Sequence, residues 1–228
     1  KAIAIHTHFD DIGRFKELVG ALLTDWDNNF FSRGQEVAKA RLGSYFSASA
    51  RVDEKNYLSY YQFLKKLNAE FDIMAPQVLE HLRQLTGVLF NKTLYLATYA
   101  CEKEAHAKVR EQLLTFTDSL AASVLAGKPT ISFAASGRNE GIETPGKVQY
   151  VTAGGNFRAH GQEYTGAMLV LATMLRYEYL WTKIRIQGGA YGAGANFSRS
   201  GEMYFTTYRD PQLKSSLEAF KGLPEWLK

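Results

Sequence analysis

The stretch KIRIQGGAYGAG, residues 183–194, decides how this chain reads. It sets Arg185 and Tyr191 six positions apart, with Gly188 and Gly189 between them, directly after a long apolar run. An arginine and a tyrosine held around a glycine turn can aim two strong hydrogen-bond donors at one carbonyl oxygen. Such a pair stabilises developing negative charge, but it supplies neither a nucleophile nor a metal ligand. The chain therefore carries half of an active site.

Just before it, Gly166 to Trp181 is the most apolar run, broken by Arg176 and Glu178. It is too short and too charged to span a bilayer. It reads as a buried helix from Gly166 to about Arg185, with Thr165 in position to cap it. Ala190 to Ser198 and Glu202 to Tyr208 form a hairpin across Arg199, Ser200 and Gly201. Asp210 and Pro211 open a last helix as cap and first-turn proline. Before the apolar run, Lys147 to Thr152 reads as a strand and Gly154, Gly155 and Asn156 as a turn.

The N-terminal part has a different texture. Ala2 to His8 is a strand candidate, and Asp10 or Asp11 can cap the helix that follows. That helix repeats Ile12, Phe15, Leu18, Val19, Leu22, Leu23 and Trp26 on one face. Ser32 and Gln35 form a capping-box pattern for a second helix through about Leu42. A third spans roughly Glu54 to Phe71, and Pro76 suits the first turn of a fourth that ends at Gly87. Val88 to Tyr99 reads as a strand with a turn at Asn91 and Lys92, and Glu102 to Leu120 as a helix. From 121 to 146 the periodicity dissolves among Gly127, Pro129, Gly137, Gly141, Pro145 and Gly146, which predicts a linker.

The bulk numbers exclude several classes. With 228 residues, 46% of them hydrophobic, the chain can bury a substantial core. A net charge of +4 without long like-charge runs does not mark a nucleic-acid protein, and nothing marks a membrane partner. The one cysteine, Cys101, excludes an internal disulfide framework. KAIAIHTHFDD at the start lacks the apolar core of a signal peptide. The first residue is not methionine, and both ends look like cuts through a longer polypeptide.

Other chemistry is thin. His6, His8 and Asp10 could converge if the first strand forms, giving a small metal site. The plainer reading is a strand running into a helix cap. His81, His106 and His160 stand apart, outside any HExxH or HxxEH pattern, so no metal ligand is assigned. Cys101 has no identifiable partner, and no serine sits in a GxSxG elbow. The glycines after Arg185 lack the GKS or GKT ending of a phosphate loop.

YLWTKIRIQGGAYGAGANFSRSGEMYFTTYRDPQL, residues 179–213, closely resembles the C-terminal half of insulinase–pitrilysin type zinc metallopeptidases, most of all their presequence-protease branch. The features that carry it are Leu180 and Trp181, Ile184 and Arg185, the run Gly188 to Gly192, Arg199 to Gly201, and Tyr208 to Pro211. VTAGGNFR, residues 151–158, extends the likeness upstream.

The resemblance implies an α+β fold. Residues 1–120 would be the C-terminal part of a third insulinase-type α/β sandwich unit, 121–146 a linker, and 147–228 the N-terminal part of a fourth, with helices packed on antiparallel-rich sheets. It implies that Arg185 and Tyr191 are the catalytic arginine–tyrosine pair, and that Gly188, Gly189 and Gly192 let substrate approach. It implies zinc in the full-length parent, on an HxxEH motif absent here, with unstructured peptides and the N-terminal half of the same polypeptide as partners. This chain alone is expected to be inactive. The compartment would be the cytoplasm of a bacterium or a mitochondrial or plastid matrix. The alternative is a non-catalytic peptide-binding or structural subunit of the same superfamily.

Overall fold

The computed structural model describes residues 9–122, 133–134 and 139–228. The predicted strand Ala2 to His8, with His6 and His8, lies outside them, as does most of the predicted linker. The fold is α+β, as expected, and its described elements divide into two compact units. One draws on residues 1–22 and 65–131, the other on 23–64 and 132–228. Residues 23–64 thus belong with the C-terminal stretch, although about a hundred residues of sequence separate parts that touch.

The second unit is built on a three-stranded antiparallel sheet in the order β1-β3-β2. Its strands are β1 (Thr152–Asn156), β2 (Gly192–Phe197) and β3 (Glu202–Tyr208). The register sets Phe205 between Ala153 and Ala195. These small neighbours leave room for a helix on that face. Two residues on, the Thr207 hydroxyl accepts from the Val151 N–H at 3.0 Å. The other face meets the helix Gly34–Gly43, where Gln35 donates to the Thr206 hydroxyl (3.3 Å) and Lys39 lies over the Tyr204 ring. With cover on both sides, β3 lacks the alternation of a half-wet strand.

The covering helix is unusual. It starts as an α-helix over Ala167–Met174 and continues over Leu175–Ile186 with the wider i→i+5 winding of a π-helix. Leu175, Tyr179, Leu180 and Ile184 are its buried residues. That four-to-five-residue spacing follows the wide turn and departs from the 3.6-residue period of an α-helix. They form a core with Val151, Ala190, Phe220 and Leu223, the last two from the C-terminal helices Leu213–Lys221 and Leu223–Trp226.

Asp210 locks this unit together. It is fully buried, and its carboxylate accepts from the Gln212 N–H (2.8 Å) and the Ser216 hydroxyl (2.6 Å). Its backbone exchanges two bonds with Gln149, at 2.7 and 2.9 Å. The expected cap is corrected: the helix Leu213–Lys221 has Gln212 at its N-cap and Pro211 ahead of its first turn. Asp210 instead ties the approach to that helix to Ser216 and to the chain before β1. Asp210→Ala leaves a buried hydroxyl and an N–H without their acceptor, which costs about 2–4 kcal/mol. Urea unfolding of the full-length protein checks this, and a loss below about 0.5 kcal/mol would show that water replaces the carboxylate.

The first unit contains the start of the helix Ile12–Asn29, the end of Leu58–Ala69, and the helices Phe71–Leu89 and His106–Asp118. Asp11 caps the first of these, accepting from the Arg14 N–H at 2.8 Å. Val19, Leu67, Phe71 and Ala75 form its core, with Phe15, Met74 and Val78 against them.

Several local expectations are corrected. Val88 to Tyr99 is not a strand: its first residues finish a helix, and Asn91 makes one isolated bridge to Ala121. Pro76 sits inside Phe71–Leu89, beyond the first turn. The expected helix from Glu54 to Phe71 is divided, with Ala48–Glu54 before Leu58–Ala69. The Ser32 hydroxyl donates back to the Asn29 carbonyl instead of capping Gly34–Gly43, whose N-cap position is Arg33. Thr165 does not cap through its side chain, because the helix begins after Gly166. Gly154, Gly155 and Asn156 are strand and not turn, and of the expected strand 147–152 only Thr152 belongs to β1, because pairing with β3 starts there.

Candidate functional site

Arg185 and Tyr191 flank the exit from the wide helix. The last turn closes by Gly189 N–H to the Arg185 carbonyl (3.0 Å) and Ala190 N–H to the Ile184 carbonyl (3.1 Å). Each bond reaches one residue further than in the usual glycine-terminated helix end, as the wider winding requires. Gly189 takes φ +80°, the left-handed region that other residues enter at a cost. At Gly188 a Cβ would lie 2.6 Å from the Ile184 carbonyl oxygen. Both glycines thus have local reasons. Gly192 has none, since a Cβ there would rest 3.8 Å from that of Tyr208.

Beyond the turn, the Tyr191 N–H donates to the Tyr208 carbonyl (3.1 Å), and the strand hairpin begins. The Tyr191 side chain is 67% exposed. Its ring stands edge-on to Tyr208 with centroids 5.9 Å apart. The Arg185 guanidinium carbon lies 5.8 Å from the Tyr191 ring centre and 4.1 Å from that of Trp181. Arg185 is exposed, and among the described residues its guanidinium has no hydrogen-bond or ion-pair partner. The structure therefore brings the two predicted residues side by side, with the arginine's donors free and the tyrosine open to solvent.

The aromatic row continues. Tyr208 meets Tyr150 at 5.4 Å, and Tyr150 meets Phe31 at 5.6 Å. Arg209, next to Tyr208, holds a positive φ of 48°, a conformation uncommon outside glycine. Tyr150 and Phe31 line a cleft of about 1350 Å³ in the same unit, between Gly34–Gly43 and residues 139–156. Arg41 ties one wall to the other by a two-pronged pair to Glu140, at 2.7 and 3.0 Å. That pairing raises the guanidinium above its ordinary value, against the effect of burial. Burial, foremost, pushes the Tyr45 phenol up. Sequence reading did not find this cleft, because its walls come from stretches a hundred residues apart.

Of the metal candidate only Asp10 falls among the described residues, and its carboxylate is taken by Arg83 at 2.9 Å. No group of three or more His, Cys, Asp or Glu residues gathers among the described residues. Cys101 is exposed. No helix among the described residues is long and apolar enough to cross a membrane.

Residues 139–228 match the family model of the PreP C-terminal domain, and residues 1–67 match that of the domain associated with subfamily C of the M16 peptidases. Protein HypA of Clostridium perfringens is 34% identical over 226 residues, which cover 99% of this chain and 23% of that protein. The chain belongs to the presequence-protease branch of the M16 peptidases. Within that branch, presequence protease 1, chloroplastic/mitochondrial, of Arabidopsis thaliana is 28% identical over 222 residues, 96% of this chain and 21% of the relative. The mitochondrial presequence protease of Saccharomyces cerevisiae is 26% identical over 224 residues, 92% and 22%. The chain thus spans less than a quarter of the length of these M16 relatives.

Proposed function

We propose that this chain is the substrate-holding, chamber-closing part of the C-terminal half of a zinc metalloendopeptidase that degrades unstructured peptides. The observation that carries the reading is the Arg185–Tyr191 pair: a guanidinium without a protein partner among the described residues, held beside an exposed tyrosine at a glycine turn. A planar guanidinium grips carbonyl oxygens by two parallel N–H donors, and a phenol O–H adds a third. Donors fixed before the reaction stabilise charge that appears on a carbonyl oxygen without reorganising. Gly192, free of any local demand for glycine, leaves the strand beside them open to a peptide backbone.

The described residues do not gather the ligands a zinc ion needs. The zinc of the proposed enzyme belongs to residues outside this chain, in an N-terminal half of the same polypeptide. Residues 1–120 and 147–228 are read as parts of the third and fourth insulinase-type sandwich units of that longer protein. The compartment is read as a mitochondrial or plastid matrix for a eukaryotic source, and as the cytoplasm for a bacterial one. The names of the Arabidopsis and yeast relatives support the first of these.

The test is cleavage of an unstructured fluorogenic peptide by the full-length protein. Expected are turnover that a chelator abolishes and zinc restores, and silence from residues 1–228 alone with zinc added. A folded full-length protein that binds the peptide without cutting it would instead establish a non-catalytic subunit. Cleavage by residues 1–228 alone would place the chemistry within this chain and overturn the half-site reading.

A further inference from the structure

We infer that Trp181 is the positioning residue of the site, a flat bed that fixes the Arg185 guanidinium where its donors face substrate; this rests on the reading of Arg185 and Tyr191 given above. A guanidinium carbon 4.1 Å from the indole centre lies in van der Waals contact with the ring face. Trp is the strongest cation–π partner among the side chains. No carboxylate or carbonyl among the described residues competes for the guanidinium, so the ring holds it without occupying its N–H groups. An ion pair would fix the arginine by spending the donors that the reaction needs. A ring face fixes it and leaves them outward.

The backbone supports the same assignment. Trp181 and Arg185 both stand on the wide helix, whose neighbours Leu180 and Ile184 are buried at 0% and 1% exposure. The two alternating pairs, Leu180–Trp181 and Ile184–Arg185, put an anchored apolar residue beside each functional one. The backbone beneath both side chains is thereby anchored in the core. On the far side Tyr208 stands edge-on to Tyr191, bracing the tyrosine as Trp181 braces the arginine. An arginine side chain has large rotamer freedom, and a catalytic donor displaced by about 1 Å can lose on the order of a hundredfold in rate. Trp181 is itself 36% exposed, so replacing it should leave the core intact.

The experiment is a double-mutant cycle in the full-length protein, reading kcat and KM for an unstructured fluorogenic peptide. Trp181→Ala is expected to lower kcat by about tenfold with KM within about twofold, and Trp181→Phe, which keeps a ring face, to recover most of the rate. In an Arg185→Ala background, Trp181→Ala should have no further effect, because nothing remains to be positioned. Thermal unfolding of each variant separates this from loss of fold. Equal losses from Trp181→Ala in both backgrounds, or no loss in either, would overturn the positioning role. If Arg185→Ala is crippled and Trp181→Ala is normal, this inference alone fails. If Arg185→Ala is normal, the proposed role of the pair fails with it.

Discussion

In the full-length protein, Arg185→Ala should lower peptide turnover by about a hundredfold while the fold stays as stable as before. The guanidinium is exposed and, among the described residues, contacts only aromatic rings, so its removal takes no buried interaction away. What it takes away is a pair of outward donors fixed beside Tyr191. Loss of one preorganised donor to a developing oxyanion costs on the order of 10²–10³ in rate, or about 3 kcal/mol of transition-state stabilisation. The loss should fall on kcat more than on KM, because the donors bind most strongly to charge that is absent in the ground state. A variant that keeps turnover within about twofold would remove the arginine from the chemistry and leave it as a surface residue.

The largest stability effect belongs to Leu180. It is fully buried at the centre of the core that joins the wide helix to the sheet and to Phe220. Leu180→Ala removes buried methyl groups and leaves a cavity, at a cost of about 3–5 kcal/mol. The comparison with Ile186→Ala makes the prediction sharper. An α-helical stripe running from Leu175 through Tyr179 would continue to Thr182 and Ile186. The wide winding instead buries Leu180 and Ile184 and leaves Ile186 66% exposed. Ile186→Ala should therefore cost less than about 0.5 kcal/mol. Urea unfolding of the two variants measures the ranking, and a reversed order would mean that the helix keeps the ordinary period in solution.

Much of the site was legible before any coordinates. The spacing of Arg185 and Tyr191 around two glycines already implied a turn that presents both, and that is where the structure places them. The hairpin of β2 and β3 was also readable, because turn glycines act within a few residues. Trp181, four residues before Arg185, carried a signal in its spacing alone. Errors gathered where local pattern is ambiguous. Val88 to Tyr99 is apolar enough for a strand, yet it finds no partner beyond one bridge, and a strand without pairing leaves its backbone groups unsatisfied. Gly154 to Asn156 has the composition of a turn, and the pairing with β3 overrides it.

What the sequence determined by itself is the α+β class, the M16 kinship, and the identity of the arginine–tyrosine pair as the feature to test. Those rest on short-range chemistry: caps, turn residues, and donors at fixed spacing. Only the tertiary structure decided that the apolar helix winds wide, that residues 34–43 cover a sheet formed from residues 152–208, and that a cleft opens between them. The reason is physical. Within a single turn an α- and a π-wound helix place apolar residues almost alike, and the winding over Leu175–Ile186 is chosen by what the helix packs against. Contacts across a hundred residues depend on the free energy of the assembled core, and no single stretch of sequence contains it.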